Sequence, residues 1–248
     1  MSQRSTDFWE YLREKTPARI ALGRTGDGLP TTRVLEFELA HARARDAVKS
    51  ELDYRFVMAE LAAWNPVLVR SAAADRAAFL QRPDLGRRLA PHCGHLLKQG
   101  GYDAAIVIAD GLSAHAVQVQ APELCKILLR SKDFVFAPPS VALQARVALG
   151  DEIAARQGAA LVTILIGERP GLSAFDSMGA YITFDPKPGI TKDAERNCVS
   201  NIRAEGLSLP EAARRILAIM ALARRLRRTG TMLKEDDALG LLPPQSAS

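Results

Sequence analysis

Two short runs constrain this chain more than anything else in it. Ala104 to Ala109 reads AAIVIA and Leu161 to Ile166 reads LVTILI, each almost without a polar residue. A strand that alternates apolar and polar keeps one face in water, whereas a continuous apolar run of this length belongs to a strand buried on both faces. Each run ends in a turn-forming loop. The first stops at Asp110-Gly111-Leu112-Ser113 ahead of a helical segment, and the second stops at Gly167-Glu168-Arg169-Pro170-Gly171. Short buried strands alternating with helices predict an α/β fold with a mostly parallel sheet and helices on both faces, a Rossmann-like arrangement. In such sheets ligands bind at the carboxyl ends of the strands, so both loops become candidate binding elements.

Weaker patterns fill in the rest. Phe134–Phe136 and Ala145–Leu149 are further strand candidates, as is Ala180–Phe184, halted by Asp185-Pro186. Asp151–Gln157 reads as a short helix with an acidic first turn and Gly158 behind it. The last helix starts at Ser208-Leu209-Pro210-Glu211, which has the form of a capping box. Ile216, Leu217, Ile219, Met220, Ala223 and Leu226 form its apolar stripe. Before residue 100 the chain is helical and arginine-rich. A helix is predicted over Thr31–Leu52, another over Asp75–Leu80 and a short one within Leu85–Gln99. The chain is thus divided into a smaller helical lobe, residues 1–99, and a Rossmann-like domain, residues 100–248.

Composition narrows the function classes. The chain has 248 residues, 48% hydrophobic and 25% charged, as an ordinary globular protein does. Its 33 basic and 28 acidic side chains leave a formal charge of +5, which favours anionic partners. Aromatic residues make up only 6% and the arginines are dispersed, which argues against nucleic acid. The start is polar and lacks the apolar core of a secretory signal, and the longest apolar stretch is far below the roughly 20 residues that span a bilayer. Three separated cysteines, Cys93, Cys125 and Cys198, give no disulfide framework. The expected location is the cytoplasm, and a bacterial microcompartment is compatible with it.

Several familiar motifs are absent. Neither strand–loop junction carries the G-x-G-x-x-G of a dinucleotide site, which counts against a stand-alone nucleotide-binding enzyme, the alternative on this fold. Gly23-Arg24-Thr25-Gly26-Asp27-Gly28 has no Gly-Lys-Ser/Thr and reads as a solvated or partner-facing loop. His92-Cys93-Gly94-His95 is too isolated for a zinc site. No Ser–His–Asp arrangement stands out.

Taken together, five segments resemble the small subunit family of adenosylcobalamin-dependent ethanolamine ammonia-lyase. They are Thr16-Pro17-Ala18-Arg19-Ile20 with Gly23-Arg24, Arg82-Pro83-Asp84-Leu85-Gly86-Arg87-Arg88-Leu89, Asp110-Gly111-Leu112-Ser113, Gly167-Glu168-Arg169-Pro170-Gly171-Leu172, and Arg196-Asn197-Cys198-Val199-Ser200-Asn201-Ile202. The resemblance implies a hetero-oligomer. A large subunit, a TIM-type barrel, holds ethanolamine and the radical chemistry, while the small subunit closes over the cobalamin, contacting mainly the corrin and its nucleotide tail, and is inactive alone. It places no catalytic residue and no metal ligand on this chain, and no nucleic acid or membrane among its partners. It implies cofactor contacts at Val147, Glu168 and Cys198: an apolar wall, an acceptor for amides or hydroxyls, and a small side chain that lets the backbone approach. Asp110, Gly111, Ser113 and Arg169 are added from loop geometry. The D-x-H-x-x-G motif, whose histidine displaces the cofactor's own base, does not occur, so the benzimidazole is expected to stay on cobalt. Arg19, Arg24 and Arg33 are expected to meet carboxylates of the large subunit.

Overall fold

A computed structural model describes residues 8–16 and 18–233. In chain order its regular elements begin with α1 (Phe8–Glu14), α2 (Thr31–Lys49), α3 (Tyr54–Glu60), β1 (Val67–Arg70) and α4 (Arg76–Gln81). Then follow β2 (Ala104–Ala109), α5 (Ala114–Leu129), β3 (Ser140–Leu143), α6 (Leu149–Gln157) and β4 (Leu161–Gly167). The chain continues with β5 (Met178–Phe184), β6 (Asn197–Ile202) and α7 (Leu209–Leu226). The strands form one sheet in the order β1-β3-β2-β4-β5-β6. The first four run parallel, and β5 and β6 add an antiparallel margin. The fold is therefore α/β with a mostly parallel sheet, as the two apolar runs predict.

Both runs lie at the sheet's centre with every residue buried. Their alternate residues feed two cores. Ile106, Ile108, Leu161 and Leu165 meet Leu124 and Leu128 of α5 and Ile216, Ile219 and Met220 of α7. Val107, Val162, Ile164 and Ile166 meet Leu149, Ile153 and Ala154 of α6. Helices thus cover both faces, but unequally. On one face α7 reaches β5 and β6, whereas on the other α6 packs on β2 and β4. Along β5 and β6 the residues turned toward α7 (Ala180, Ile182, Val199, Ile202) are buried, while Tyr181 is half-buried and Cys198 and Ser200 are exposed. On that face the antiparallel margin is only partly covered.

Several sequence expectations change. Ala145–Leu149 is no strand: β3 ends at Leu143, Gln144 turns with φ +55°, and Leu149 already donates to the Arg146 carbonyl as α6 begins. The apolar spacing there is that of a turn entering a helix. Phe134–Phe136 makes only a single parallel bridge, Phe136 to Ala104. The region Leu85–Gln99 holds two 3₁₀ turns, Leu85–Arg87 and Pro91–Leu96. Three strands had no sequence expectation, β1, β3 and β6, and β1 joins the sheet from before residue 100. The predicted capping box at Ser208 does not form. Ser208 is the N-cap but makes no side-chain cap, and Glu211 turns instead to Arg214 and Arg215, with 2.6 and 2.7 Å contacts. The helix over Thr31–Leu52 is present as α2, yet only Ala47 of it is buried. Leu35 and Phe37 are 58% and 47% exposed.

A buried ion pair ties the antiparallel margin to α6. Arg196, just before β6, donates from both terminal nitrogens to Asp151 at 2.6 and 2.7 Å and to the Thr183 hydroxyl at 2.9 Å. Removing one member of such a pair strands the other's charge in the interior. Asp151→Ala should lower unfolding free energy by about 3–5 kcal/mol in urea titrations. A surface contribution follows pH instead. Arg214 and Arg215 hold the Glu211 carboxyl down at about 2 against an ordinary 4.5. A carboxylate with a depressed folded pKa stabilises above its unfolded pKa and loses that contribution as pH falls. Glu211→Gln should therefore flatten the acid-side decline of stability between about pH 4.5 and pH 2, measured by unfolding across that range.

Candidate functional site

The carboxyl ends of β2, β3 and β4 are locked together through one carboxylate. Asp110, 2% exposed, accepts N–H bonds from Gly111 (2.9 Å), Gln144 (2.8 Å) and Ala145 (3.0 Å). Burial pushes its pKa up; the three N–H donors and Arg76, 3.8 Å away, pull the other way. Asp110 thereby holds the loop after β2 against the turn after β3, the turn that presents Arg146 and Val147. Gly111 makes the connection to β4. Its φ of +57° suits glycine, and a Cβ there would run into the Gly167 carbonyl, which accepts the Leu112 N–H at 2.9 Å. Ser113 caps α5 through the Ala116 N–H at 3.3 Å and donates to the Phe175 carbonyl at 2.9 Å. Asp110, Gly111 and Ser113 are thus the frame, with Gly111 also reaching the surface of the cleft.

That frame borders two adjoining cavities beside the partly covered margin of the sheet. The smaller, about 460 Å³, is lined by Gly111, Leu112, Arg146, Val147, Glu168, Arg169 and Tyr181, with β4 residues behind them. The larger, about 1000 Å³, shares Arg146, Val147 and Tyr181 and extends between Arg87, Arg88 and the 188–193 loop. Val147 is half-buried, neither core nor fully solvated.

Glu168 is the first residue past β4 and is pinned on three sides. Its N–H donates to the Ser177 carbonyl at 3.0 Å, and its Oε2 accepts the Ser177 hydroxyl at 2.5 Å and the Asn201 N–H at 3.4 Å. Its Oε1 would lie 2.8 Å from a Cβ on Gly179, so only a bare glycine lets the carboxylate rest against β5. Among the described residues Oε1 has no hydrogen-bond donor, leaving it as an acceptor at the smaller cavity.

Cys198 stands across the strand pair from Tyr181 and does not itself line either cavity. Its sulfur lies 3.1 Å from the Ser200 hydroxyl, and its side chain neighbours the Tyr181 phenol across the strand pair. Burial pushes up the pKa of both the thiol and the phenol, so both are protonated at neutral pH. The structure therefore brings Val147 and Glu168 to one cavity and links Cys198 to it through Tyr181. Arg169 lines the same cavity as an exposed cation. Sequence reasoning missed Tyr181 and Arg146. A tyrosine in an apolar strand that also holds Phe184 reads as core, so no sequence signal singles out Tyr181. No group of three or more His, Cys, Asp or Glu side chains is placed to hold a metal ion among the described residues.

The family model for the ethanolamine ammonia-lyase light chain (EutC) matches residues 6–234, nearly the whole chain. The chain belongs to this family. It is 50% identical over 239 residues to a protein of Azotobacter vinelandii named ethanolamine ammonia-lyase small subunit, covering 92% of this chain and 88% of that protein. Proteins of the same name from Pseudomonas syringae pv. tomato and Ralstonia nicotianae are 48% and 47% identical over 245 residues each. Those alignments cover 94% of this chain in both cases and 85% and 90% of the relatives. The family is that of a lyase component, and no helix among the described residues is long and apolar enough to cross a membrane.

The Glu168 contacts yield a test. In Gly179→Ala the new methyl displaces the carboxylate while the buried face of β5 stays as it is. The variant should retain its unfolding midpoint within a few degrees and lose ligand binding at the smaller cavity, read by titration of the assembled enzyme.

Proposed function

We propose that this chain is the small subunit of an adenosylcobalamin-dependent ethanolamine ammonia-lyase and forms one wall of the cofactor site, with a large subunit supplying the other wall and the ethanolamine pocket. The observation that carries this reading is the cleft beside the partly covered margin of the sheet. An α/β protein ordinarily buries both faces of such a sheet, and here a cleft bordered by Val147, Glu168 and Tyr181 lies at the carboxyl edge instead.

The residues present fit a corrin. Val147 offers an apolar wall to the ring, the free Oε1 of Glu168 accepts from peripheral amides, and Cys198 neighbours the Tyr181 phenol at the cleft. When bound, the cofactor supplies a radical by homolysis of its cobalt–carbon bond, and the reaction as a whole turns ethanolamine into acetaldehyde and ammonia. The part of this chain is to bind, orient and exclude water. None of its four histidines, His41, His92, His95 and His115, lines either cavity, so this chain would offer the cofactor no histidine to replace its own base.

Docking falls to the helical lobe, residues 1–99, with residues 100–248 as the cofactor-contacting part. Phe8, Tyr11, Leu35, Phe37 and Leu39 are all about half exposed on α1 and α2, more apolar surface than a lone subunit usually leaves in water. Arg19 lies over the Phe37 ring at 5.7 Å, Arg33 pairs with Glu36 at 2.8 Å, and Arg24 is exposed beside the turn closed by Thr25 and Gly28. Arg19 and Arg24 are the arginines best placed to meet carboxylates.

Reconstitution tests the reading. The purified chain should show no ethanolamine turnover by itself and should restore it on addition of a cognate large subunit and adenosylcobalamin. Turnover by the isolated chain, or full activity of the large subunit without it, would reject the assignment.

A further inference from the structure

Arg76 stands where local preference would not put it. It is the first residue of α4, directly behind the N-cap Asp75, and a helix start favours acidic side chains over basic ones. It is also only 9% exposed, and arginine is seldom buried unless its donors are used. Here they are used on two separate parts of the chain. Nε donates to the Val48 carbonyl at 2.9 Å and Nη1 to the Gly111 carbonyl at 2.8 Å, with Asp110 at 3.8 Å. Nη2 is buried with no partner, a cost of keeping the fork in this place.

The two carbonyls belong to different surfaces. Val48 is in the last turn of α2, where the carbonyls have no donor from within the helix. Asp46 and Ala47 take the Ser50 N–H and hydroxyl, and Val48 takes Arg76, whose charge also complements the helix dipole. Ala47 is the one buried residue of α2, so the helix joins the body most closely at this end. Farther along it Leu35 and Leu39 are 58% and 53% exposed, four residues apart on the face assigned above to docking. No residue of α2 lines either cavity.

Gly111, at the other prong, does line the smaller cavity. Its carbonyl is held by Arg76 and its N–H by Asp110, while it lies tight against the end of β4. Phe79, one turn along α4, adds a second arm. Its ring carries the Arg76 guanidinium at 4.8 Å and, at 4.2 Å, that of Arg146, which lines both cavities. One buried side chain therefore joins a helix outside the cleft to two residues of its lining.

We infer that Arg76 is a positioning residue that links docking to cofactor binding. Seating α2 on the large subunit fixes, through Arg76, the Gly111 carbonyl and Arg146 at the cleft, and an occupied cleft in turn favours the seated α2. This rests on the docking and cofactor readings above and deepens them by naming the residue that joins them. Such a link is reciprocal: the factor by which docking tightens cofactor binding is the factor by which cofactor tightens docking. R76K would keep a cation near Asp110 and lose the planar fork that holds two carbonyls at once.

The test is a double-mutant cycle in the assembled enzyme. Adenosylcobalamin affinity is read by titration of the corrin absorbance at saturating large subunit, and subunit association is read separately without cofactor. The variant L35A/L39A trims two exposed leucines of the docking face. In the wild-type background it should weaken association and also weaken adenosylcobalamin binding about fivefold or more. In the R76K background the same trimming should change adenosylcobalamin binding less than about twofold, the tie having been cut. An Arg76 that merely supports the fold gives equal fold-changes in both backgrounds, and that result would overturn the link. Weakened association with unchanged adenosylcobalamin affinity in the wild-type background would overturn it too, needs no Arg76 variant to fold, and leaves the docking reading intact. Unchanged association would remove the docking reading, and an assembled enzyme that takes up no adenosylcobalamin would remove the cofactor reading, each taking the link with it.

Discussion

The Asp110 carboxylate is the joint on which the cleft is built. A parallel sheet delivers its strand ends to one edge, but the loops that leave those ends diverge unless something ties them. Here one buried side chain gathers the N–H groups of its own loop and of the turn after β3, with Arg76 close behind. The close approach of Gly111 to Gly167 extends the tie to β4. Arg146 and Val147 belong to the β3–α6 connection and Glu168 to the β4–β5 connection, and their common orientation toward one cleft follows from this tie. Replacing Asp110 by an apolar residue would orphan three buried N–H donors together.

Coverage of the sheet is the second determinant. Helix α6 packs on the parallel half and meets the margin through the Asp151–Arg196 pair, and beyond that pair β5 and β6 present a phenol, a thiol and a hydroxyl. The same strands are fully packed on their other face by α7. The cleft is therefore not a gap in a poorly filled protein. It is a sheet face withheld from the chain's own helices, and the family to which the chain belongs is one of subunits that work with a partner.

What could be read in advance divides along physical lines. The runs AAIVIA and LVTILI were legible because burial on both faces leaves almost no polar residue in them, and the glycine-bearing loops behind them marked the edge where the cleft lies. β6, with the sequence NCVSNI, was not read as a strand, because only one of its faces is buried and its polar residues hide the pattern. Ala145–Leu149 was misread because three apolar residues at alternate positions suit a strand as well as a turn entering a helix; the Asp110 contacts that decide between them come from 35 residues away. Of the site, Val147, Glu168 and Cys198 came from family resemblance, and Gly111 and Arg169 from the loops. Tyr181 was invisible, since a tyrosine in a strand looks like core until the missing helix is seen. The ion pair Arg196–Asp151 was equally hidden, its members lying 45 positions apart.

The connection between β4 and β5 has one more consequence. Its two ends are clasped at Glu168 and Ser177 by a backbone bond and a side-chain bond, so the carboxylate is set at the neck of the excursion and owes little to the course of the chain beyond it. Insertions or deletions near Pro170 to Leu172 can therefore change the rim of the cleft without shifting that acceptor. Evolution has a place there to adjust the fit to a large-subunit surface while the contact beneath stays constant.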